Sequence, residues 1–265
     1  MDKMLIAVFE GESQASIAAR ALKDLREEDV LLVYAVTVIV KDLAKVSVVD
    51  FKIKDCRDPA LGVATRSVIK LLAEPYDSVD NGNSPTSSDR MLEVANAGVD
   101  SIFTDEVARH LLPGRAAIVS EIEEEATDLL DTLLESRGGT VFRCVRRELL
   151  DVQIADELDA LHSEIQTLET QILQGPEESK AQLRQKLDRA RARFEATKDR
   201  ARQHAASIKR EAEAKIVLLQ ERTAKAEGGL KARLEKLADE IRVDYVNRAT
   251  KLNLAWQFAG DVVLN

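Results

Sequence analysis

Three histidines are the first residues to consider for metal chemistry. They are His110, His162 and His204, which fall in three separate predicted elements. Neither HxxxH spacing nor a Cys/His pairing of the kind that zinc sites use surrounds them. The sequence therefore predicts no zinc site. His204 stands in a row of apolar residues on a predicted helix, so we interpret it as a packed or register-setting residue.

A run of glutamates could bind a divalent cation. The carboxylates are Glu121 and residues 123–125, but a helix is predicted from Glu123, and the helix macrodipole favours acidic side chains there without any metal. We prefer this structural interpretation and predict no metal site. Gly138-Gly139 indicates a turn, because the phosphate-binding spacings GxGxxG and GxxxxGK[ST] are both absent. No nucleophile elbow or catalytic triad pattern occurs, so we predict a non-enzymatic protein without catalytic residues or cofactor.

The composition indicates long helices and gives no sign of a segment that spans a membrane. The chain has 265 residues, 45% hydrophobic and 32% charged but only 4% aromatic, a balance typical of long helices bordered by solvent. Cys56 and Cys144 lack motif spacing, which suits a reducing compartment. The longest uncharged apolar run, 30–40, is shorter than the roughly 20 residues that span a bilayer. Because the N-terminus also lacks a signal-peptide pattern, we predict a cytoplasmic protein.

The net charge of −9 is distributed unevenly. Residues 1–179 hold 18 basic against 35 acidic side chains, whereas residues 180–242 hold 18 basic against 10 acidic ones. An acidic part joined to a basic part indicates either electrostatic self-association or an anionic partner. A solvated helix that is merely rich in Lys and Arg is the simpler alternative.

Residues 1–147 are predicted to form one domain of strands and helices. The predicted strands, from apolar runs and period-two alternation, are 4–9, 30–40, 49–53, 116–122 and 140–145. The predicted helices are 13–25, 61–72, 88–97, 102–111 and 123–136, and 81–88 is a polar loop. The order predicts an α+β class, with the ferredoxin-like split βαβ plan and one extra strand.

Several segments of this domain resemble a known family. They are LIAVF at 5–9, ARALKDL at 19–25, the strand pair AVTVIVKD and KVSV, AGVDSIFTDEVARHLLPGRAAIVSEIEE at 97–124 and RGGTVFR at 137–143. Over residues 1–147 the chain resembles a bacterial family of predicted membrane proteins of unknown function that carries a glycine-rich hydrophobic insertion. The resemblance implies no catalytic or binding residues.

One segment departs from that family. Where the family has an apolar hairpin, this chain has the charged residues Arg66, Lys70, Glu74, Asp77 and Asp80. Each charged side chain costs roughly 2.5–3.5 kcal/mol at the centre of a membrane helix. We therefore expect that this segment does not enter a bilayer.

An apolar seam, meaning a row of apolar residues spaced by three and four, runs through residues 148–243 and predicts a coiled coil. Gly175-Pro176 interrupts the seam, which predicts a helical hairpin with its turn at 174–177. The predicted contact residues within the hairpin are Leu158, Leu161, Ile165, Leu168, Leu183, Leu187 and Phe194. Acidic residues flank the first helix and basic residues the second, so the same hairpin would pair their charges.

The second helix is predicted to be much longer than the first. It runs about 66 residues, or roughly 100 Å, against about 25 residues and roughly 38 Å. Gly228-Gly229 is predicted as a kink within it. Apolar positions beyond about residue 205 then lack a partner within the chain, and an exposed apolar stripe usually marks an interface.

We therefore predict a homo-oligomer that forms through the distal part of this helix. A C-terminal tail, 244–265, is predicted to dock on a neighbouring subunit, with a fold back onto its own chain as the alternative. The predicted interface residues are Ile208, Ile216, Leu219, Leu230, Leu234, Leu237, Ile241, Trp256 and Phe258. A solvated single helix held by local ion pairs is the alternative to assembly.

Two further interpretations remain open beside the self-assembling scaffold. The protein could be a stress or envelope protein attached to the inner-membrane surface, with its basic helix on anionic lipid. Alternatively, the first domain could sense a small ligand and the coiled coil could transmit the signal. Nucleic acid is not predicted as a partner, because the basic helix has only Phe194 for base stacking.

Overall fold

The computed structural model describes residues 2–27, 31–43, 45–49, 58–73, 87–124 and 127–260. The chain divides into residues 1–149, here called the sheet unit, and residues 150–265, here called the helical unit. The sheet unit contains β1 (Lys3–Phe9), α1 (Glu12–Glu27), β2 (Leu32–Lys41), β3 (Val46–Val49), α2 (Val63–Ala73), α3 (Ser87–Ala97), α4 (Ser101–His110), β4 (Ala116–Glu123), α5 (Thr127–Glu135) and β5 (Thr140–Val145). The helical unit contains α6 (Leu149–Gln174), α7 (Glu177–Thr223) and α8 (Gly228–Gly260).

The five strands form one antiparallel sheet in the order β3-β2-β4-β1-β5. β1 lies in its interior, where Leu5 faces Ser120 of β4 on one side and Arg143 of β5 on the other. The chain therefore has the predicted α+β class. An interior place suits β1 because its apolar run leaves neither face for water.

Helices cover both faces of the sheet. Leu5 and Phe9 of β1 pack on one face in a core cluster that includes residues of α1 and α5. Met4 and Val8 point to the opposite face, where residues of α2 and α4 join them. This two-sided burial explains why β1 shows no alternation of polar and apolar residues.

Most predicted elements of the sheet unit are present with shifted ends. β1, β4 and β5 start or end within one residue of their predictions, and Gly98 separates α3 from α4. The helix predicted from Glu123 is wrong at its start, because Glu123 still pairs with Leu32 in the sheet and α5 begins at Thr127. The strand predicted at 49–53 and the loop at 81–88 lie largely outside the described residues.

The helical unit differs from its prediction in one respect that matters. The helix predicted to run for about 66 residues is two helices, because α7 has 47 residues and ends at Thr223. α8 follows after residues 224–227 and packs back along α7. It continues through residue 244 without a break, so residues 244–260 of the predicted docking tail are helical. Among the described residues, no helix combines the length and the apolar character needed to cross a membrane.

Candidate functional site

One buried carboxylate in the helical unit is held by residues of two other helices. Asp151 lies in the first turn of α6, His204 lies within α7 and Arg248 lies on α8. We call these three residues the three-helix junction. His204 continues the seam of α7 three residues after Ala201, and Arg248 stands four residues before the buried Leu252 of α8.

The hydrogen bonds of the junction use both oxygens of Asp151. His204 Nε2 lies 2.6 Å from Asp151 Oδ1. Arg248 donates from Nε to Oδ2 at 2.7 Å and from a terminal nitrogen to Oδ1 at 3.1 Å. The exposed fraction of the side chain is 1% for Asp151, 15% for His204 and 19% for Arg248. A carboxylate so deeply buried needs such donors, because an unpaired buried charge is costly.

The pKa values follow from this geometry. Burial alone would raise the pKa of Asp151, but the hydrogen bonds from His204 and Arg248, with their charges, outweigh it and lower that pKa below the ordinary aspartate value. Burial would likewise lower the pKa of Arg248, and its hydrogen bonds and attraction to Asp151 raise it instead. Asp151 is therefore an anion at neutral pH, and its oxygens are occupied by protein donors. The arrangement fastens three helices together.

The sheet unit holds a second set of buried charges, which corrects the interpretation of the glutamate run. Glu124 accepts hydrogen bonds from Lys3 Nζ at 3.3 Å and Arg143 Nε at 2.7 Å. Glu121 lies on β4, is 1% exposed and pairs with Arg146. Glu124 does not stand within a helix as predicted, and basic side chains balance the charge of both acids.

The residues predicted for contacts within the hairpin lie on α6 and α7, and most of them are buried. Buried residues are Leu158, Leu161, Ile165, Leu168, Leu187 and Phe194, and Leu183 is half-buried. Ion pairs link the same two helices, from Arg191 to Glu169 at 2.8 Å and from Arg193 to Glu164. Acidic side chains of α6 thus pair with basic side chains of α7.

The residues predicted for the oligomer interface have a different environment from the one expected. Buried residues are Ile208, Leu219 and Leu234, and half-buried residues are Ile216, Leu230, Leu237 and Ile241. Their supposed lack of a partner within the chain is corrected, because α8 packs against α7. Trp256 and Phe258 lie on α8, with side chains outside the described part of the structure.

Two groups of basic residues on α7 differ in their partners. In the first group, Arg200 pairs with Glu157 of α6, which is the internal pairing of charges that the sequence predicts. In the second group, Arg184, Lys186 and Arg189 are exposed, and within the described ranges no ion pair is found for them. This second group lies close to the turn between α6 and α7.

The other two histidines form hydrogen bonds with residues four positions before or after them in the chain. His110 Nδ1 lies 2.9 Å from the Glu106 carbonyl oxygen, and His162 Nε2 lies 2.9 Å from the side-chain amide of Gln166. Cys144 is half-buried, and burial raises the pKa of its thiol. Cys56 lies outside the described residues.

Sequence reasoning found His204 but missed both of its neighbours in the three-helix junction. Arg248 does carry a signal, because it occupies a position in the three-and-four spacing of α8 that includes Leu234, Ala238 and Leu252. A charged residue at such a position indicates a buried partner. Comparison with known proteins adds nothing to this assignment, since no family model, curated protein or solved structure matches the chain.

Proposed function

We propose that the protein is a non-enzymatic structural protein that assembles with copies of itself through its helical unit. The observation that carries this proposal is the apolar seam where α7 meets α8, because four of its residues stay half-buried in the single chain. At 1.5 Å per residue α7 is about 70 Å long. Such seams are the usual means by which helices of separate chains associate.

Half-buried apolar residues offer the surface for association. Ile216 of α7 and Leu230, Leu237 and Ile241 of α8 border the contact between these helices and retain exposed surface. A second copy that covers them removes this apolar area from water, at about 25 cal/mol per Å². The compartment that we propose for this assembly is the cytoplasm.

The test is the mass of the full chain in solution, measured by light scattering after size exclusion at several concentrations. We expect a dimer or larger assembly that Ile241→Lys weakens at least tenfold. Val243→Lys on the same helix is the matched control, because Val243 is already 60% exposed. A monomer at every concentration, or equal weakening by both variants, contradicts the proposal.

We also propose that the sheet unit has a ferredoxin-like core. The order β5-β1-β4-β2 and the placement of α1 and α5 on one face support this assignment. β3 then extends one edge, and α2 to α4 form an insertion whose helices pack on the second face.

A second candidate function is attachment to an anionic membrane surface. It is favoured by Arg184, Lys186 and Arg189, which are exposed and lie near the hairpin turn. Flotation with vesicles that contain phosphatidylserine tests it. We expect binding that falls with salt and is lost when these three residues are replaced by Gln, whereas Gln at the paired Arg191 and Arg193 has less effect. Equal flotation with neutral vesicles contradicts it.

A further inference from the structure

The turn between α7 and α8 consists of residues that favour helix. Its sequence is Ala-Lys-Ala-Glu at 224–227, four residues of high helix propensity. Ala224 has helical backbone angles, φ −64° and ψ −22°. The Ala226 amide still donates to the Arg222 carbonyl at 3.0 Å, as in a continuing helix. Two features therefore prevent α7 and α8 from joining into one helix. They are Gly228, the next residue of the chain, and the packing of α8 on α7.

Gly228 begins α8 with a backbone conformation that favours glycine. Its φ of +57° is in the left-handed region, which other residues adopt at a cost of roughly 1–2 kcal/mol. A Cβ at Gly228 would meet no atom within 4 Å, and the same holds for Gly229. Backbone conformation, and not space, is thus what requires glycine at 228, and Gly229 carries no such requirement.

Residues spaced by three and four, most of them apolar, continue through the turn. Leu219, Thr223, Ala226, Leu230 and Leu234 follow one another at intervals of four, three, four and four residues. If residues 224–228 became helical, α7 and α8 would form one helix with its seam along one side. The seams that now face each other within the chain would then both need a partner.

We propose that α8 exchanges between two copies of the chain. The turn straightens, and α8 of each copy packs against α7 of the other, so that Arg248 of one copy meets Asp151 and His204 of its partner. The contacts of the closed hairpin are recreated between chains, and the two straightened helices add a new contact beside the turn, where Leu230 is half-buried in the single chain. This proposal rests on the proposed self-assembly and gives its mode, with a second copy of this chain as the partner.

The first test compares Gly228→Ala with Gly229→Ala. Alanine at 228 penalises the closed turn and favours the straight helix, so we expect the dimer association constant to rise by tenfold or more. Alanine at 229 lies within α8 both in the closed hairpin and in the exchanged dimer. We expect it to change the association constant much less. Equal constants for the two variants in light scattering would overturn the proposal.

The second test asks whether two chains share one junction. An Asp151→Arg chain and an Arg248→Asp chain each carry like charges at the junction, and only exchange of α8 brings opposite charges together. We expect a mixed 1:1 dimer in native mass spectrometry after the two chains are refolded together. The chain with both substitutions is the control, since it can restore the pair within one copy.

The outcomes separate this proposal from the proposed function. A doubly substituted chain that folds, together with no mixed dimer, overturns exchange. If the wild-type chain still assembles in that case, self-assembly stands through another surface. If the doubly substituted chain does not fold, the comparison of Gly228→Ala with Gly229→Ala decides alone.

Discussion

Asp151 shows how a single buried charge can fix the arrangement of three helices. Its carboxylate lies on α6 but is satisfied by donors from α7 and α8, one of them 97 residues away in sequence. Removing one member of such a group costs more than the group itself contributes, because the remaining charge is left without a partner. The strongest substitution effects in the helical unit should therefore arise here.

We expect Asp151→Asn to lower the free energy of unfolding by about 3 kcal/mol. That is the lower end for buried pairs, since Arg248 keeps 19% of its side chain exposed. Denaturant titration followed by circular dichroism measures it. Asp156→Asn is the matched control, because Asp156 is an exposed acid on the same helix. A loss below about 1 kcal/mol would mean that the junction contributes little.

The same residue predicts a pH dependence. The pKa of Asp151 is lower in the folded chain than in the unfolded chain, so its contribution is present above the unfolded pKa and is lost as pH falls through the folded pKa. The difference in unfolding free energy between the wild type and Asp151→Asn should therefore shrink below about pH 4. A difference that stays constant down to about pH 2 would contradict this assignment.

Gly139 illustrates a steric requirement at one position. A Cβ there would lie 2.7 Å from Cε1 of Phe9 and 2.9 Å from the carbonyl oxygen of Leu134. We expect Gly139→Ala to lower the melting temperature and to reduce the free energy of unfolding by about 1–3 kcal/mol. Gly11→Ala is the control, since its Cβ would have no neighbour within 4 Å. Equal melting temperatures for the two variants would refute the steric argument.

At the scale of elements, the contact between α6 and α7 should depend on its seam more than on its charges. Phe194 is 2% exposed, and Phe194→Ala should lower the free energy of unfolding by about 3–5 kcal/mol. Arg193 and Glu164 are 60% and 44% exposed, so Glu164→Gln should cost about 0.5 kcal/mol or less. Urea titration of both variants tests this order. A larger loss for Glu164→Gln would reverse it.

The elements also show what the sequence could and could not predict. Apolar runs predicted β1 and β4 because burial on both faces leaves a plain signature. β5 lies at the edge of the sheet, and the Gly138-Gly139 turn before it predicted this strand. The end of α7 could not be predicted in this way, since residues 224–227 favour helix and the seam continues past them. Whether such a helix folds back depends on which surface covers its seam, a property that local spacing does not contain.

The same reasoning explains the partial prediction of the three-helix junction. His204 was placed on the seam by periodicity, which is a local property. Its pairing with Asp151 and Arg248 depends on α8 returning along α7, so it could not be predicted without the turn after Thr223. Glu123 was misplaced for a related reason, because acids at the end of a strand and at the start of a helix look alike in sequence.

At the scale of the whole molecule, salt distinguishes the two candidate functions. Association through an apolar seam should keep or gain strength as ionic strength rises, because salt screens charges but not apolar burial. Binding of exposed arginines to anionic vesicles should weaken instead. Light scattering and flotation at about 0.05 and 0.5 M NaCl compare the two. An assembly that dissociates at high salt would contradict a seam-based interface.

The interior position of β1 has a consequence for how the protein is made. β1 pairs with β4 and β5, whose residues lie more than 100 positions later in the chain. Translation proceeds at roughly 5–20 residues per second. The apolar run of β1 therefore stays unpaired for at least several seconds before either neighbouring strand leaves the ribosome. A ribosome-bound chaperone that covers short apolar segments would protect the nascent chain during this interval, and slower translation between β3 and β4 would prolong the need for it.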